Sequence, residues 1–165
     1  MKATFAAIDR AVEIFVAAIL VVMVTVGFLQ VFSRFVLNHT PSWAEEIQIF
    51  GHIWLVFLAI PIAYRRGAHM TVEAIRRHYS SLMTRAFDLL VELMWAGFAI
   101  AVIYLSYRVS LVAARSVSAG LEIPMSYPYY GMILGGVYLL FLVIRRLAGE
   151  LPPPEELPPP EVTAP

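Results

Sequence analysis

Few polar side chains that could do chemistry lie within the apolar stretches of this chain. They are Thr25, Gln30, Gln48 and His52, with Glu92 at the edge of the third stretch. In a segment that crosses a membrane, such groups are costly and often functional. Gln48 and His52 are four residues apart, so a helix would place them on one face. That face could bind a ligand or relay a proton, but no second polar group completes a pathway, so a hydrogen bond between helices is the favoured interpretation.

The residues that metal, haem and enzyme chemistry usually need are missing. The chain contains no cysteine, which excludes thiolate metal sites, thiol nucleophiles and cysteine-attached haem. A haem held by two histidines would need a second histidine at the depth of His52, whereas the other three lie between the apolar stretches. No metalloprotease, serine-hydrolase or phosphate-binding motif is present. We therefore expect no enzyme activity, no metal site and no cofactor.

Four stretches without Asp, Glu, Lys or Arg must position these residues. They concentrate the high apolar content, which is 60% of the 165 residues. About 20 helical residues cross the hydrocarbon core of a bilayer, and three of the stretches reach or nearly reach that length. The third does so if its flanking residues are included, with Arg108 extending to the headgroups. The sequence predicts an all-α membrane protein whose four transmembrane helices cover about residues 14–36, 43–64, 88–112 and 124–147.

The segments around this membrane domain, residues 14–148, have their own patterns. Residues 1–13 form a predicted N-terminal amphipathic segment. Residues 72–87 combine an apolar stripe with a basic face, which predicts a short interfacial helix between the second and third spans. An ordinary connector helix packed on protein is the alternative. Residues 149–165 are rich in proline and glutamate, which predicts a disordered tail.

Positive charge is distributed unevenly between the two sides of the predicted spans. Nine of the twelve Lys and Arg residues lie on one side, which carries the N-terminus, the C-terminus and the loop between the second and third spans. The positive-inside rule places that side, including both termini, in the cytoplasm. The net charge of zero and the lack of a basic tract predict no nucleic-acid partner. The main orientation signal consists of Arg65, Arg66, His69, Arg76 and Arg77.

The second span opens with a run of polar and aromatic residues. Ser42 followed by Glu45 predicts a capping box, in which the serine hydroxyl and the glutamate carboxylate each bind a backbone N–H group. Glu45 and Glu46 also suit the positive end of the helix dipole. Trp43 suits the depth of the lipid headgroups. Helix capping and interfacial anchoring alone could account for all of these residues.

Five short motifs occur in order relative to the four spans. They are RFVLN at 34–38, WAEE at 43–46, IWLVFL at 53–58, RRGAHMTV at 65–72 and LEIPMS at 121–126. Through them the chain resembles, over about residues 5–148, the small permease subunit of tripartite ATP-independent periplasmic (TRAP) transporters. One departure is Ala-Ile-Pro at 59–61, where the family often has small residues; it affects the expected local helix packing.

The resemblance implies a role in sodium-coupled uptake of an organic acid, such as a C4-dicarboxylate, across the bacterial inner membrane. A large permease subunit would carry the substrate and sodium sites, and a periplasmic solute-binding protein would deliver the solute. The small subunit would support the permease scaffold and help to receive the binding protein. Arg34, Trp43, Glu45 and Glu46 would then dock one of these partners, with capping and anchoring as the alternative.

Other functions are consistent with four apolar spans. A membrane anchor or assembly subunit of another inner-membrane complex is the main alternative, and an auxiliary channel is a third. A complete secondary transporter is not expected, because such proteins usually have internal repeats and broken helices that build a site at the middle of the membrane. The chain has no evident repeat and almost no charge within its spans.

Overall fold

The computed structural model describes residues 2–39, 41–66 and 81–149. Within these residues the chain forms four long α-helices, each with an apolar segment of membrane-spanning length. They are α1 (Lys2–Val36), α2 (Ser42–Arg65), α3 (Ser81–Ala113) and α4 (Tyr127–Leu147). The prediction of an all-α protein with four membrane-length helices is confirmed.

Some of the predicted segments lie outside the described residues. The interfacial helix expected at residues 72–87 falls largely in residues 67–80, and residues 81–87 are instead the beginning of α3. The predicted disordered tail lies outside the described chain from residue 150 onward. Three residues of the predicted orientation signal also lie outside it: His69, Arg76 and Arg77.

The N-terminal amphipathic segment is continuous with the first span. α1 runs from Lys2 to Val36 as one helix. No glycine or proline occurs in residues 2–13, so no residue with poor helix propensity interrupts the helix before the apolar stretch begins. The acidic residues of this segment are therefore held on the same rigid helix that crosses the membrane.

The predicted capping box at the beginning of α2 is wrong. The N-cap residue is Pro41, with extended backbone angles φ −69° and ψ 124°, and no side chain caps the helix. The Pro41 carbonyl accepts a hydrogen bond from the N–H of Ala44 at 3.1 Å. Proline fixes φ near the value that this position needs, so Pro41 occupies the boundary and Ser42 is already inside the helix.

The centre of the bundle is α4. Within the 18 most apolar consecutive residues of each helix, 44% are buried in α4 and 6% in α1. Gly131 packs on the ring of Trp54, and Gly135 approaches the backbone of Phe57 so closely that a Cβ atom would clash with it. Gly136, on another side of α4, packs on α3. Small residues four apart let helix backbones come close in membranes, so these glycines bring α4 against α2.

α1 packs mainly against α2. The side-chain amide of Gln48 donates a hydrogen bond to the Met23 carbonyl at 2.7 Å, and Gly51 packs on the Met23 side chain. Many of the exposed side chains of α1 and α3 are large and apolar. The four helices alternate in direction: the N-terminal part of α1 contacts the C-terminal ends of α2 and α4, and Glu92 in the first half of α3 contacts the same two ends.

Candidate functional site

A buried aspartate near the beginning of α1 joins three helices. Asp9 is 7% exposed. Its Oδ1 accepts a hydrogen bond from the Tyr138 hydroxyl of α4 at 2.6 Å. Its Oδ2 lies 2.8 Å from Nη1 of Arg65 at the end of α2. A carboxylate at this depth needs both a countercharge and a hydrogen-bond donor, and Asp9 has them from two different helices.

Glu13 lies one turn further along α1 and binds the same end of α2. Its Oε1 accepts hydrogen bonds from Arg65 and from Arg66, the latter at 2.9 Å. The Arg66 side chain is 65% exposed, whereas that of Arg65 is 22% exposed. Arg65 is thus held between the two carboxylates of α1, and Arg66 remains at the surface.

Glu92 of α3 lies in a second group of contacts at the same end of the bundle. It accepts a hydrogen bond from the Tyr64 hydroxyl of α2, and its Oε1 lies 3.5 Å from Nη1 of Arg146 in α4. The Arg146 guanidinium also lies 4.2 Å from the centre of the Tyr64 ring and donates to the Tyr64 carbonyl at 3.2 Å. The Tyr64 ring in turn packs edge-on against Trp95.

These contacts form one polar cluster that joins all four helices. Each of its carboxylates faces an arginine and at least one further donor, so the cluster is mostly satisfied from within the chain. Sequence reasoning missed it, although Asp9 and Glu13 are one turn apart and antiparallel neighbours would bring them to Arg65. The polar cluster consists of Asp9, Glu13, Tyr64, Arg65, Glu92, Tyr138 and Arg146.

At the opposite end, Glu46 binds the loop between α3 and α4, residues 114–126. Its carboxylate accepts hydrogen bonds from the Ser118 hydroxyl at 2.7 Å and from the backbone N–H groups of Gly120 at 2.9 Å and Leu121 at 2.7 Å. All three donors belong to the α3–α4 loop, so the charge of Glu46 is bound within the chain. Gly120 lies so close to the backbone of Ser42 that a Cβ atom would clash with it.

The α3–α4 loop is also stabilised by its own backbone. The N–H of Ser118 donates to the Ile123 carbonyl, and the N–H of Met125 donates to the Ser116 carbonyl, both at 2.9 Å. Glu122, inside the turn that the Ser118–Ile123 bond closes, has a positive φ of 55°. The loop is therefore a fixed structure attached to the beginning of α2.

The four predicted docking residues do not form one site. Glu46 binds the loop, whereas Glu45 and Arg34 are exposed and Trp43 is partly buried. Within the described part of the chain, no ion pair joins Arg34 to either glutamate. A docking surface made of these residues would therefore rest on Arg34, Trp43 and Glu45, with Glu46 acting through the loop.

The side chains of Gln48 and His52 also have different surroundings. Gln48 binds α1 through the Met23 carbonyl, which confirms the interpretation as a hydrogen bond between helices. His52 is exposed on the outside of the bundle. The two side chains therefore do not share a ligand site.

The residues that the structure describes contain no group of three or more metal-ligating acidic, histidine or cysteine side chains. They form an open cavity of about 550 Å³ between α1, α2 and α4. Its walls are almost wholly apolar, and the one hydroxyl among them, that of Tyr138, is already donated to Asp9, so the cavity offers an organic acid no charged partner and no free hydrogen-bonding group. The lining includes Ile8, Val12, Phe15, Leu58, Val137 and Phe141.

Two comparisons show which known proteins this chain resembles. The family model described as "Tripartite ATP-independent periplasmic transporters, DctQ component" matches residues 23–152. A protein of Haemophilus influenzae (strain ATCC 51907 / DSM 11121 / KW20 / Rd), whose name provisionally describes it as a TRAP transporter small permease protein, is 24% identical over 143 residues. The alignment covers 85% of this chain and 87% of that protein.

The family match spans most of the chain, including α2, α3, α4 and the loop that Glu46 binds. It refers to a transporter subunit and not to a family of enzymes. Together with four helices of membrane-spanning length, it makes this chain a multi-pass membrane protein. The chain belongs to the small permease, or DctQ component, family of the tripartite ATP-independent periplasmic transporters.

Proposed function

We propose that this chain is the small membrane subunit of a TRAP transporter for sodium-coupled uptake of an organic acid, such as a C4-dicarboxylate or another carboxylate. It supports the scaffold of the large permease and helps to receive the periplasmic solute-binding protein. It lies in the bacterial inner membrane, with both termini in the cytoplasm and the segment at residues 72–87 on the cytoplasmic surface.

The observation that carries this proposal is that the polar groups of the bundle bind one another. The carboxylates of the polar cluster face arginines of the same chain, and Glu46 binds the α3–α4 loop. The cavity between α1, α2 and α4 is apolar. A sodium ion or a carboxylate solute would need oxygen ligands or cationic groups, so the transport site belongs to the large permease.

The remaining surface suits a scaffold. The bundle is joined at one end by the polar cluster and at the other by the α3–α4 loop. Between these ends, α1 and α3 present large exposed apolar side chains, such as Phe28 and Met94. A rigid body with apolar outer faces can pack against lipid on one side and a larger membrane protein on another.

The three exposed or partly buried residues near the beginning of α2 support a role in docking. The backbone of Trp43 lies against Gly120 of the α3–α4 loop, Glu45 is exposed on the same turn of α2, and Arg34 is exposed in the last turn of α1. We assign them to contact with the binding protein or the permease. Glu45→Lys should lower sodium-driven uptake in the reconstituted transporter while the membrane complex stays intact. Unchanged uptake with an intact complex would exclude the docking role.

Co-purification followed by reconstitution tests the whole proposal. The tagged chain, co-expressed with its large permease and purified in mild detergent, should yield a 1:1 complex. Liposomes that contain this complex should take up labelled succinate, or another labelled carboxylate of a test panel, when the binding protein and a sodium gradient are supplied. Omission of the small subunit should abolish uptake.

An anchor or assembly subunit of another inner-membrane complex is the alternative. It would co-purify with the components of that complex and not with a permease. A chain that purifies as a stable monomer, or a permease that transports equally well without it, would contradict the proposed function.

A further inference from the structure

One face of α2 points away from the rest of the bundle and carries polar groups. Glu45, Ile49, His52 and Val56 are all exposed. They follow one another at intervals of three and four residues, the spacing that lines side chains up along one face of a helix. We call these four residues the α2 stripe. The spacing of Glu45 and His52, about two helical turns, places both polar side chains on this stripe.

His52 lies deep in the predicted span. It is roughly 15 Å along the helix axis from Ser42 and roughly 20 Å from Arg65, at about 1.5 Å per residue. Its short side chain cannot reach the headgroups at either end. In bare lipid, the imidazole N–H would have no hydrogen-bond acceptor, which is unfavourable in the hydrocarbon core.

The other helices of the chain do not cover His52. α2 meets α1 through Gln48 and Gly51, and it meets α4 through Trp54 and Phe57. Gly51, Trp54 and Phe57 occupy other sides of α2, and Gln48 lies at the edge of the stripe, where its side chain is turned towards α1. Gln48 shows the contrast, because its amide has a partner within the chain at 2.7 Å. The contacts of the described residues give His52 no such partner.

We propose that a transmembrane helix of the large permease packs on the α2 stripe and presents an amide or hydroxyl side chain level with His52. This inference rests on the proposed function and specifies where the partner binds. A polar residue that faces outward within a span, with apolar neighbours one turn above and below, is the arrangement that interhelical hydrogen bonding in membranes requires.

Charge argues against a second copy of this chain as the partner. Two copies inserted in the same orientation and related by a two-fold axis would place each residue of the stripe near its own equivalent. Glu45 would then face Glu45 of the second copy, and like charges repel. A different helix can present a hydrogen-bonding group to His52 without placing a second carboxylate against Glu45.

Photo-crosslinking locates the partner surface. The photoreactive residue p-benzoylphenylalanine is introduced at Ile49 or at Val56, and as controls at Val22 of α1 and Leu105 of α3, which are also exposed. Irradiation of the co-expressed membrane complex should join the chain to the permease from the two stripe positions and not from the controls. The inference is wrong if the adducts come only from the controls, if they have the mass of two copies of this chain, or if the stripe gives none while the complex is intact.

Substitution at His52 tests the hydrogen bond itself. His52→Leu should weaken the association of chain and permease about fivefold, the effect of one interhelical hydrogen bond in a membrane. His52→Asn, which can still donate and accept, should bind within about twofold of the unaltered chain. The measurement is the dissociation constant between the two labelled subunits in lipid nanodiscs.

Thr25→Val is the matched control, because the Thr25 hydroxyl bonds the Val21 carbonyl of its own helix at 2.8 Å. It should leave the dissociation constant unchanged. Equal or tighter binding by His52→Leu would overturn the inference. Failure of the unaltered chain to bind the permease at all would instead overturn the proposed function, so the two failures are distinguishable.

Discussion

Glu45 and Glu46 are neighbours in the sequence with opposite surroundings. Glu45 is exposed, whereas the carboxylate of Glu46 accepts three hydrogen bonds from the α3–α4 loop. Removing the Glu46 side chain would leave the N–H of Gly120 without its acceptor and leave that of Leu121 only the longer bond to the Ser118 hydroxyl, at 3.3 Å. Glu46→Ala should therefore loosen the loop, and trypsin should cleave after Arg115 faster in the purified complex.

Glu45→Ala is the control for this experiment, because it removes the same charge from the same turn of α2. It should leave the cleavage rate near that of the unaltered chain. Equal rates for the two variants would mean that the loop does not depend on Glu46.

A second prediction at this scale concerns the polar cluster. Asp9 is buried and lies 2.8 Å from Arg65. A double-mutant cycle with Asp9→Asn and Arg65→Gln should give a coupling of about 0.5–3 kcal/mol, the range for residues in direct contact within one network. The measurement is thermal unfolding of the singly and doubly substituted chains in detergent.

The pair of Glu13 and Arg66 provides the comparison. The Arg66 side chain is 65% exposed, so solvent screens this pair, and its coupling should be below about 1 kcal/mol. A larger coupling for Glu13 and Arg66 than for Asp9 and Arg65 would contradict the expectation that burial makes the Asp9–Arg65 pair the stronger of the two.

At the scale of elements, the position of α4 depends on its glycines. A Cβ atom at residue 135 would clash with the backbone of Phe57, whereas one at Gly97 of α3 would meet open space. Gly135→Ala should destabilise the bundle by about 1–3 kcal/mol, the usual effect of overpacking. Gly97→Ala should be neutral or stabilising by up to about 1 kcal/mol, because alanine favours the helix.

Thermal unfolding of the two glycine variants in detergent checks this prediction. Gly97→Ala is a matched control for Gly135→Ala, because each change adds one methyl group to a membrane-length helix. Destabilisation by Gly97→Ala, or tolerance of Gly135→Ala, would show that α2 and α4 do not approach as closely as described.

The helices themselves could be predicted from the sequence, because the length of an apolar run is a local property that the bilayer fixes. The contacts between them could not. Glu46 and Ser118 are 72 residues apart, and Asp9 and Tyr138 are 129 apart. Local patterns also misled at one point: Ser42 and Glu45 have the spacing of a capping box, but Pro41 already determines where α2 begins. Gly131 and Gly135 are four residues apart in α4, a spacing of small residues that indicates close helix packing from the sequence alone.

At the scale of the whole molecule, the polar cluster and the α3–α4 loop mark opposite ends of the bundle. Arg146 belongs to the first end, and Arg115 lies in the loop at the second. Arg65 and Arg66, the two residues of the predicted orientation signal that the structure describes, are on the side of the polar cluster. The positive-inside rule therefore predicts that the polar cluster faces the cytoplasm and that the loop that Glu46 binds faces the periplasm.

The absence of cysteine from the chain allows this orientation to be measured with single introduced thiols. Arg115→Cys should react with a membrane-impermeant maleimide in intact spheroplasts, because the positive-inside rule predicts that the loop faces outward. Ala148→Cys, just after α4, should react only after the membrane is opened. The reverse pattern would place the termini outside and leave the α3–α4 loop unable to meet a periplasmic binding protein. The labelling therefore tests both the orientation and the geometric requirement of the proposed docking role.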